Sequence, residues 1–282
     1  MRHRVFKSLG SSGFHQVAYT EWGDPANPRV LVCVHGLCRN GRDFDFLAEA
    51  LAGGWRVVCP DMPGRGDSDW LDDKAAYSLS TYLSDCAALI ARLDVDEIVW
   101  LGTSMGGIIG MNLAAMPGNP VKGLIVNDVG PVVPAAGLRR IVGLLSGDPR
   151  FADAEEAEEY FHKAMARFGV KRPEEWQHVV ETGTRPDGEG HLRLHYDPGI
   201  LSAYYESEPV GDISFWRVWD SITCPTLILR GEQSDVLLAE TARQMLTRGP
   251  TSDLAEVAGC GHAPALFETD QISLVATWLD RL

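Results

Sequence analysis

Short apolar runs of strand length alternate with stretches of helical spacing along much of the chain. The strand-like runs lie at residues 16–22, 30–34, 55–59, 97–101, 121–127, 225–230 and 254–257. Stretches with helical spacing of apolar residues lie at 44–51, 79–93, 105–116 and 268–282. Buried strands that alternate with helices are typical of a mostly parallel central sheet flanked by helices, so we predict an α/β fold.

The alternation stops between residues 131 and 220. Four helical stretches fill this region, at residues 138–145, 154–168, 173–181 and 200–206, with glycine and proline turns between them. Strand-like runs resume afterwards, so the pattern predicts a helical insertion into one α/β core.

Composition and charge narrow the class of protein. The chain has 282 residues, 45% of them hydrophobic and 23% charged, as in an ordinary globular protein. Its formal net charge of −14 argues against nucleic acid and against an anionic membrane surface as partners, since both require a basic surface. The chain has no apolar run long enough for a signal peptide or a membrane span, so we expect a cytoplasmic protein.

The 6 cysteines are scattered, and no pair has the close spacing of a zinc or redox motif. We therefore expect reduced thiols. No histidine–carboxylate cluster has metal-ligand spacing either, so we predict neither a metal nor a cofactor.

The motif Gly102-Thr103-Ser104-Met105-Gly106 lies between a strand-like run and a helical stretch. In such a tight turn only glycines tolerate the crowding beside the serine, whose hydroxyl then projects from the edge of the sheet. Ser104 is therefore the candidate nucleophile. The backbone N–H of Met105, at the start of the following helix, is a candidate donor to an oxyanion.

A second glycine turn, His35-Gly36-Leu37-Cys38, follows the strand-like run at residues 30–34. It predicts the other half of an oxyanion hole, with the backbone N–H of Leu37 facing that of Met105. We interpret His35 as a structural histidine whose ring holds this loop by hydrogen bonds.

The candidate base is His262, in the glycine-rich loop between the strand-like run at 254–257 and the last helix. The candidate acid is Asp235, which follows the strand-like run at 225–230 and would orient His262. The order Ser104, Asp235, His262 is that of nucleophile, acid and base. Asp128, after the run at 121–127, is the alternative acid. A cysteine nucleophile at Cys38 or Cys260 is disfavoured, because neither lies on a strained turn with a base beside it.

With these motifs and the segment at residues 61–69, the chain resembles the α/β-hydrolase superfamily, in particular bacterial serine esterase-like members with a helical cap. The resemblance implies an α/β-hydrolase fold with a helical cap inserted after the sixth strand. It divides the chain into a core of residues 1–130 and 221–282 and a cap of residues 131–220. The epoxide and haloalkane branches have an aspartate where this chain has Ser104, which disfavours their chemistry. Residues 61–69 carry three acids, but their proline and glycines suit a turn that supports the oxyanion loop better than a calcium site.

The resemblance implies a carboxylesterase that cleaves small to medium, largely apolar esters through an acyl-enzyme. The same machinery serves lactonases and enzymes that hydrolyse a carbon–carbon bond in diketones, where Arg39 would hold a charged substrate. A small-molecule receptor on the same fold is the alternative outside enzymes. The sequence leaves the oligomeric state open.

Overall fold

A central eight-stranded sheet organises the molecule in the computed structural model, which describes residues 1–11, 13–202 and 211–282. Its strands, in spatial order, are β1 (Arg2–Gly10), β2 (Gly13–Trp22), β4 (Arg56–Pro60), β3 (Val30–Val34), β5 (Ile98–Thr103), β6 (Val121–Asn127), β12 (Thr226–Gly231) and β13 (Ser252–Val257). The pairings β1–β2 and β2–β4 are antiparallel, and every other pairing in this sheet is parallel. The predicted mostly parallel sheet is confirmed.

Helices cover both faces of this sheet. They are α1 (Asp45–Leu51), α2 (Leu79–Leu93), α3 (Met105–Ala114), α8 (Ala239–Met245) and α9 (Thr269–Leu279). The central strands are buried on both faces, as the unbroken burial of β3 illustrates, which explains why their sequences are continuous apolar runs. Two apolar clusters, one on each face, separate the sheet from the helices.

The order of the strands reverses between β3 and β5. The chain runs from β3 to β4 on one side and then crosses back to β5 on the other, so the loops that leave β3 and β5 diverge and open a crevice at this point. Ligands bind open α/β sheets at such a crevice, beyond the carboxyl ends of the strands. The His35–Gly36 turn and the Ser104 turn both begin here.

The region between β6 and β12 contains helices and also short strands. Its elements are β7 (Val132–Val133), α4 (Ala135–Leu145), β8 (Arg150–Phe151), α5 (Ala154–Ala164), α6 (Pro173–Gly183), β9 (Thr184–Pro186), β10 (Leu192–Leu194), β11 (Ile213–Ser214) and α7 (Trp216–Trp219). The insertion follows the sixth strand, as expected, but it is not purely helical, because β8, β10 and β9 form a small sheet and β11 pairs with β7. The predicted helix at 200–206 extends into residues outside the described part of the chain. The division into core and cap stays a prediction.

The first strand was not anticipated from the sequence. Strand β1 pairs with β2 in an antiparallel hairpin at the edge of the sheet, and only Phe6 and Ser8 within it are buried. Its sequence therefore lacks the apolar alternation on which a strand prediction depends. Within the described residues, none of the helices has both the length and the apolar character that crossing a membrane requires.

Candidate active site

Ser104 occupies a strained turn between β5 and α3. Its backbone has φ 52° and ψ −113°, a conformation that non-glycine residues rarely adopt. The turn closes so tightly that a Cβ at Gly102 would lie 2.1 Å from the Gly106 carbonyl oxygen, and a Cβ at Gly106 would lie 2.0 Å from that of Val34. The two glycines are thus required by close backbone packing, and the turn holds the serine at the sheet edge.

His262 reaches Ser104 from the loop after β13. Its Nε2 lies 2.9 Å from Ser104 Oγ, and its Nδ1 lies 2.8 Å from Asp128 Oδ2. Asp128 is fully buried and His262 nearly so. A carboxylate accepts the Nδ1 proton, which leaves Nε2 free to accept the proton of the serine hydroxyl. The three side chains form a continuous hydrogen-bonded chain.

The acid that is hydrogen-bonded to His262 is Asp128, so the prediction that Asp235 orients His262 is wrong. Asp235 turns away from the histidine and makes a bidentate ion pair with Arg140 of α4, with Arg140 Nη2 2.7 Å from Asp235 Oδ1. Burial alone would raise the pKa of Asp235, but its hydrogen bond to the Arg140 guanidinium brings that pKa below the ordinary value. An aspartate paired in this way is not placed to hold an imidazole.

The loop that carries Asp235 nevertheless serves the site by orienting Asp128. The backbone N–H of Gly231 donates to Asp128 Oδ1 at 2.7 Å, and the Ser234 hydroxyl donates to Oδ2 at 2.6 Å. Close packing makes this possible, since a Cβ at Gly231 would lie 2.2 Å from the carbonyl oxygen of Gly261. Asp128 therefore accepts three hydrogen bonds, and its orientation is fixed.

The backbone amides of Leu37 and Met105 follow the two glycine turns at the crevice. Gly36 approaches the serine closely, because a Cβ built on it would lie 3.7 Å from Ser104 Cβ. Within the described residues, neither the Leu37 nor the Met105 amide donates a hydrogen bond to the protein. Two N–H groups next to Ser104 that no protein acceptor among these residues occupies are suitably placed to hold an oxyanion.

Arg65 contacts both Leu37 and Met105, a role that the sequence did not reveal. Its side chain is fully buried. Its Nε donates to the Leu37 carbonyl at 2.8 Å, its Nη1 donates to the Tyr82 hydroxyl at 2.8 Å, and its Nη2 lies 3.7 Å from the Met105 sulfur. The guanidinium thus fixes the loop after β3 relative to the start of α3.

His35 has the structural role predicted for it. Its Nδ1 lies 2.6 Å from the Gly36 carbonyl oxygen, and its Nε2 accepts a hydrogen bond from the backbone N–H of Met62 at 2.9 Å. The neutral ring with the proton on Nδ1 satisfies both contacts. Complete burial lowers the pKa of His35 to about 3, so the ring stays neutral near pH 7.

The segment after β4 is hydrogen-bonded to the loop that follows β3. Asp61 is buried, and its carboxylate accepts hydrogen bonds from the backbone N–H groups of Gly41 at 2.7 Å and Asp67 at 2.9 Å. Burial raises the pKa of Asp61 to about 7.

In the described residues 1–11, 13–202 and 211–282, no group of three or more histidine, cysteine or acidic side chains is arranged to hold a metal ion.

The cysteines and Arg39 have structural surroundings. All 6 cysteines are buried free thiols. Burial raises the pKa of Cys38 to about 12 and also raises that of Cys260, which opposes formation of a nucleophilic thiolate at either position. Arg39 pairs with Asp43, with Arg39 Nη2 2.6 Å from Asp43 Oδ1, so this cation is balanced by a local carboxylate.

Two cavities meet at Ser104. The first, of about 80 Å³, contacts Ser104 and His262 and extends toward α4 and α5, where Arg140, Tyr160 and Phe161 line it. The second, of about 210 Å³, also contacts Ser104 and extends past Met105 and Ile108 toward Val133 and Leu138. A substrate bound across the serine could therefore place one part of itself in each cavity.

Comparisons with known proteins agree with this architecture. Residues 31–275 match the model of the alpha/beta hydrolase family. The chain is 45% identical over 273 residues to a 3-hydroxybutyrate-oligomer hydrolase of Cupriavidus necator, with 94% of this chain and 93% of that protein covered. It is 26% identical to a non-heme chloroperoxidase of Burkholderia pyrrocinia, over 92% of this chain and 93% of that protein. The crystal structure of an alpha/beta hydrolase from Novosphingobium aromaticivorans superposes with a TM-score of 0.88 at 34% identity, covering 100% of this chain and 98% of that one.

The chain belongs to the alpha/beta hydrolase family, and the predicted superfamily and fold class are confirmed. Its relatives include hydrolases and esterases, which supports ester hydrolysis at the level of the family.

Proposed function

We propose that this protein is a serine carboxylesterase whose catalytic residues are Ser104, His262 and Asp128. The observation that supports this proposal most strongly is the hydrogen-bonded chain from Ser104 Oγ through both nitrogens of His262 to the buried Asp128 carboxylate. The strained turn at Ser104 and the two unpaired amides beside it are independent support.

The reaction has two halves. In the first, His262 Nε2 takes the Ser104 proton as Oγ bonds to the ester carbonyl carbon, and the backbone N–H groups of Leu37 and Met105 stabilise the oxyanion. The imidazolium then gives this proton to the alcohol oxygen as the carbon–oxygen bond breaks. In the second half, water loses a proton to His262 and attacks the acyl-enzyme, and Ser104 recovers its proton as the acid leaves. General base catalysis and each oxyanion donor are expected to contribute about 10² or more in rate.

The proposed substrates are esters of short hydroxy acids, such as 3-hydroxybutyrate dimers and trimers. The relative in Cupriavidus necator, with 45% identity across nearly the whole chain, is the basis for this choice. The sizes and mainly apolar linings of the two cavities suit short chains with few polar groups. Arg39 is occupied by Asp43, which removes the observation that favoured a carbon–carbon bond hydrolase.

The test is a comparison of wild type, Ser104→Ala and Ser202→Ala on p-nitrophenyl esters of two to twelve carbons and on the 3-hydroxybutyrate dimer. Ser202 follows a short 3₁₀ helix in the insertion and donates to the Gly199 carbonyl, so its replacement is a matched control away from the triad. We expect Ser104→Ala to lose at least about 10³ in kcat and Ser202→Ala to keep wild-type turnover. Full ester turnover by Ser104→Ala would overturn the proposal, and binding of these esters without turnover by wild type would indicate a receptor.

A further inference from the structure

We infer that the ester has a carboxylate on its leaving alcohol, and that Arg140 binds this carboxylate in the first cavity. This inference rests on the proposed function, because it assigns the two sides of the ester bond that Ser104 would cleave. Three observations lead to it. One cavity contacts His262, the other cavity has an apolar lining, and two guanidinium groups lie beside a single carboxylate next to the first cavity.

The position of His262 assigns the cavities. The leaving alcohol oxygen must receive a proton from His262 Nε2, so it has to lie within hydrogen-bond reach of that atom. Among the described residues, His262 lines the first cavity and not the second. The alcohol side of the ester therefore extends into the first cavity, and the acyl side extends into the second.

The second cavity suits an apolar acyl chain. Its lining is aliphatic and aromatic apart from Ser104 and two tyrosine hydroxyls. The Tyr77 hydroxyl donates to Asp197 at 2.6 Å and accepts from the backbone N–H of Leu71, and the Tyr82 hydroxyl accepts from Arg65. Both hydroxyls are engaged with the protein, and no charged side chain among the described residues lines this cavity.

Positive charge exceeds negative charge around Arg140, which lines the first cavity. Arg39 and Asp43, which also line it, balance each other. Asp235, in contrast, faces two cations: Arg140 in a bidentate pair and Arg167, whose Nη1 lies 3.6 Å from Asp235 Oδ2. Within the described residues this cluster has two guanidinium groups for one carboxylate.

Arg140 has donors left for a ligand. A guanidinium has five N–H groups, and Arg140 uses two of them on Asp235 within the described part of the chain. The pair with Asp235 also holds the guanidinium in place, and its side chain is 28% exposed and so accessible from the cavity. A fixed guanidinium binds carboxylates well because its remaining N–H groups already point in set directions.

The sizes of the two cavities indicate from which end an oligomer would be cleaved. A bound water needs roughly 10–15 Å³ of cavity volume, so the first cavity, at about 80 Å³, suits a single short hydroxy acid. The second, at about 210 Å³, accepts a longer chain. An oligomer bound in this way would lose one hydroxy acid at a time from its carboxyl end.

The experiment compares the initial rate of butyrate release from O-butyryl-3-hydroxybutyrate and from its methyl ester, which has the same butyryl ester bond but no free carboxylate. We expect wild type to prefer the free acid in kcat/KM by about tenfold or more, the usual worth of a charge-assisted hydrogen bond. This preference would be unusual for a chain of net charge −14 unless a local cation binds the substrate. Arg140→Met should abolish the preference, and Arg140→Lys, which keeps the charge without the fork, should retain part of it.

Arg139→Met is the matched control, because Arg139 is the exposed neighbour of Arg140 on the same helix and should leave the preference unchanged. A wild-type preference for the methyl ester, equal rates for both substrates, or an acid preference that survives Arg140→Met would each overturn the inference while leaving the esterase proposal standing. If wild type hydrolysed neither substrate nor p-nitrophenyl butyrate, the proposed function itself would fail.

Discussion

Replacing Asp128 by asparagine tests the assignment of the acid. In wild type, Asp128 Oδ2 accepts the Nδ1 proton of His262 at 2.8 Å and the Ser234 hydroxyl proton at 2.6 Å. Asparagine offers one oxygen and one NH₂ group in place of two acceptors. If its oxygen keeps the bond to the Gly231 amide, at 2.7 Å in wild type, its NH₂ group faces His262 Nδ1.

The imidazole would then accept at Nδ1 and have its proton on Nε2, where it can no longer accept a proton from Ser104. A histidine held in the wrong tautomer costs about 10⁴ in kcat in the analogous substitution of a serine protease, so we expect Asp128→Asn to lose about 10³ to 10⁴. Asp235→Asn should lose less than about tenfold on a neutral ester, because Asp235 is 34% exposed and bound to Arg140.

The assay is kcat on p-nitrophenyl butyrate for both variants, with urea unfolding to show that each is folded. The substrate is uncharged, so the measurement is independent of any role of Arg140 in binding carboxylates. Equal losses in the two variants, or a larger loss in Asp235→Asn, would refute the reasoning.

Three further predictions concern stability and the oxyanion loop. The pKa of His35 is lowered from 6.5 to about 3, so its neutral ring stabilises the fold fully above pH 6.5 and this contribution falls by about 1.4 kcal/mol per pH unit below pH 6.5. The free energies of unfolding of wild type and His35→Gln, measured by urea titration, should therefore converge from pH 7 to pH 4. Two curves that stay parallel over this range would contradict the prediction. Gly106→Ala should destabilise the protein by more than about 2 kcal/mol and abolish turnover. Gly143→Ala lies in α4 with nothing within 4 Å of the new Cβ, so it should raise the free energy of unfolding by up to about 1 kcal/mol. Thermal melts compare the two variants, and equal melting temperatures would contradict the packing argument. Arg65→Met should lower the free energy of unfolding by about 3 kcal/mol or more, because the buried side chain loses its hydrogen bonds. It should lower kcat rather than raise KM, because the loop that carries Leu37 is no longer held in place. An unchanged kcat in steady-state kinetics would exclude this role.

The choice between Asp128 and Asp235 shows where sequence reasoning stopped. Both acids lie between Ser104 and His262 in the chain, each follows a strand, and the two strands are neighbours in the sheet. Chain order and strand spacing therefore fit either acid. The direction of the side chains decides, and it depends on donors from another loop and on the positive φ of 58° at Asp128, none of which leaves a periodic pattern in the sequence.

The serine turn and the parallel sheet were predictable because local sequence determines them. Gly102 is needed by a contact with Gly106 inside the turn, Gly106 is needed by a contact with Val34 at the end of β3, and continuous apolar runs indicate strands buried on both faces. The role of Arg65 was not predictable, because it depends on contacts with Leu37 and Met105, which are 28 and 40 residues away in the chain. The strands of two and three residues in the insertion are too short to show a period.

The most direct measurement of the central claim is labelling by a p-nitrophenyl alkylphosphonate, which forms a stable bond to an activated serine. Peptide mass spectrometry would locate the adduct in wild type, in His262→Ala and in Ser104→Ala. We predict one phosphonyl group per chain on Ser104 in wild type, slow labelling in His262→Ala, and no labelling in Ser104→Ala. Stoichiometric labelling of another residue, or labelling of Ser104 at the same rate without His262, would contradict the account.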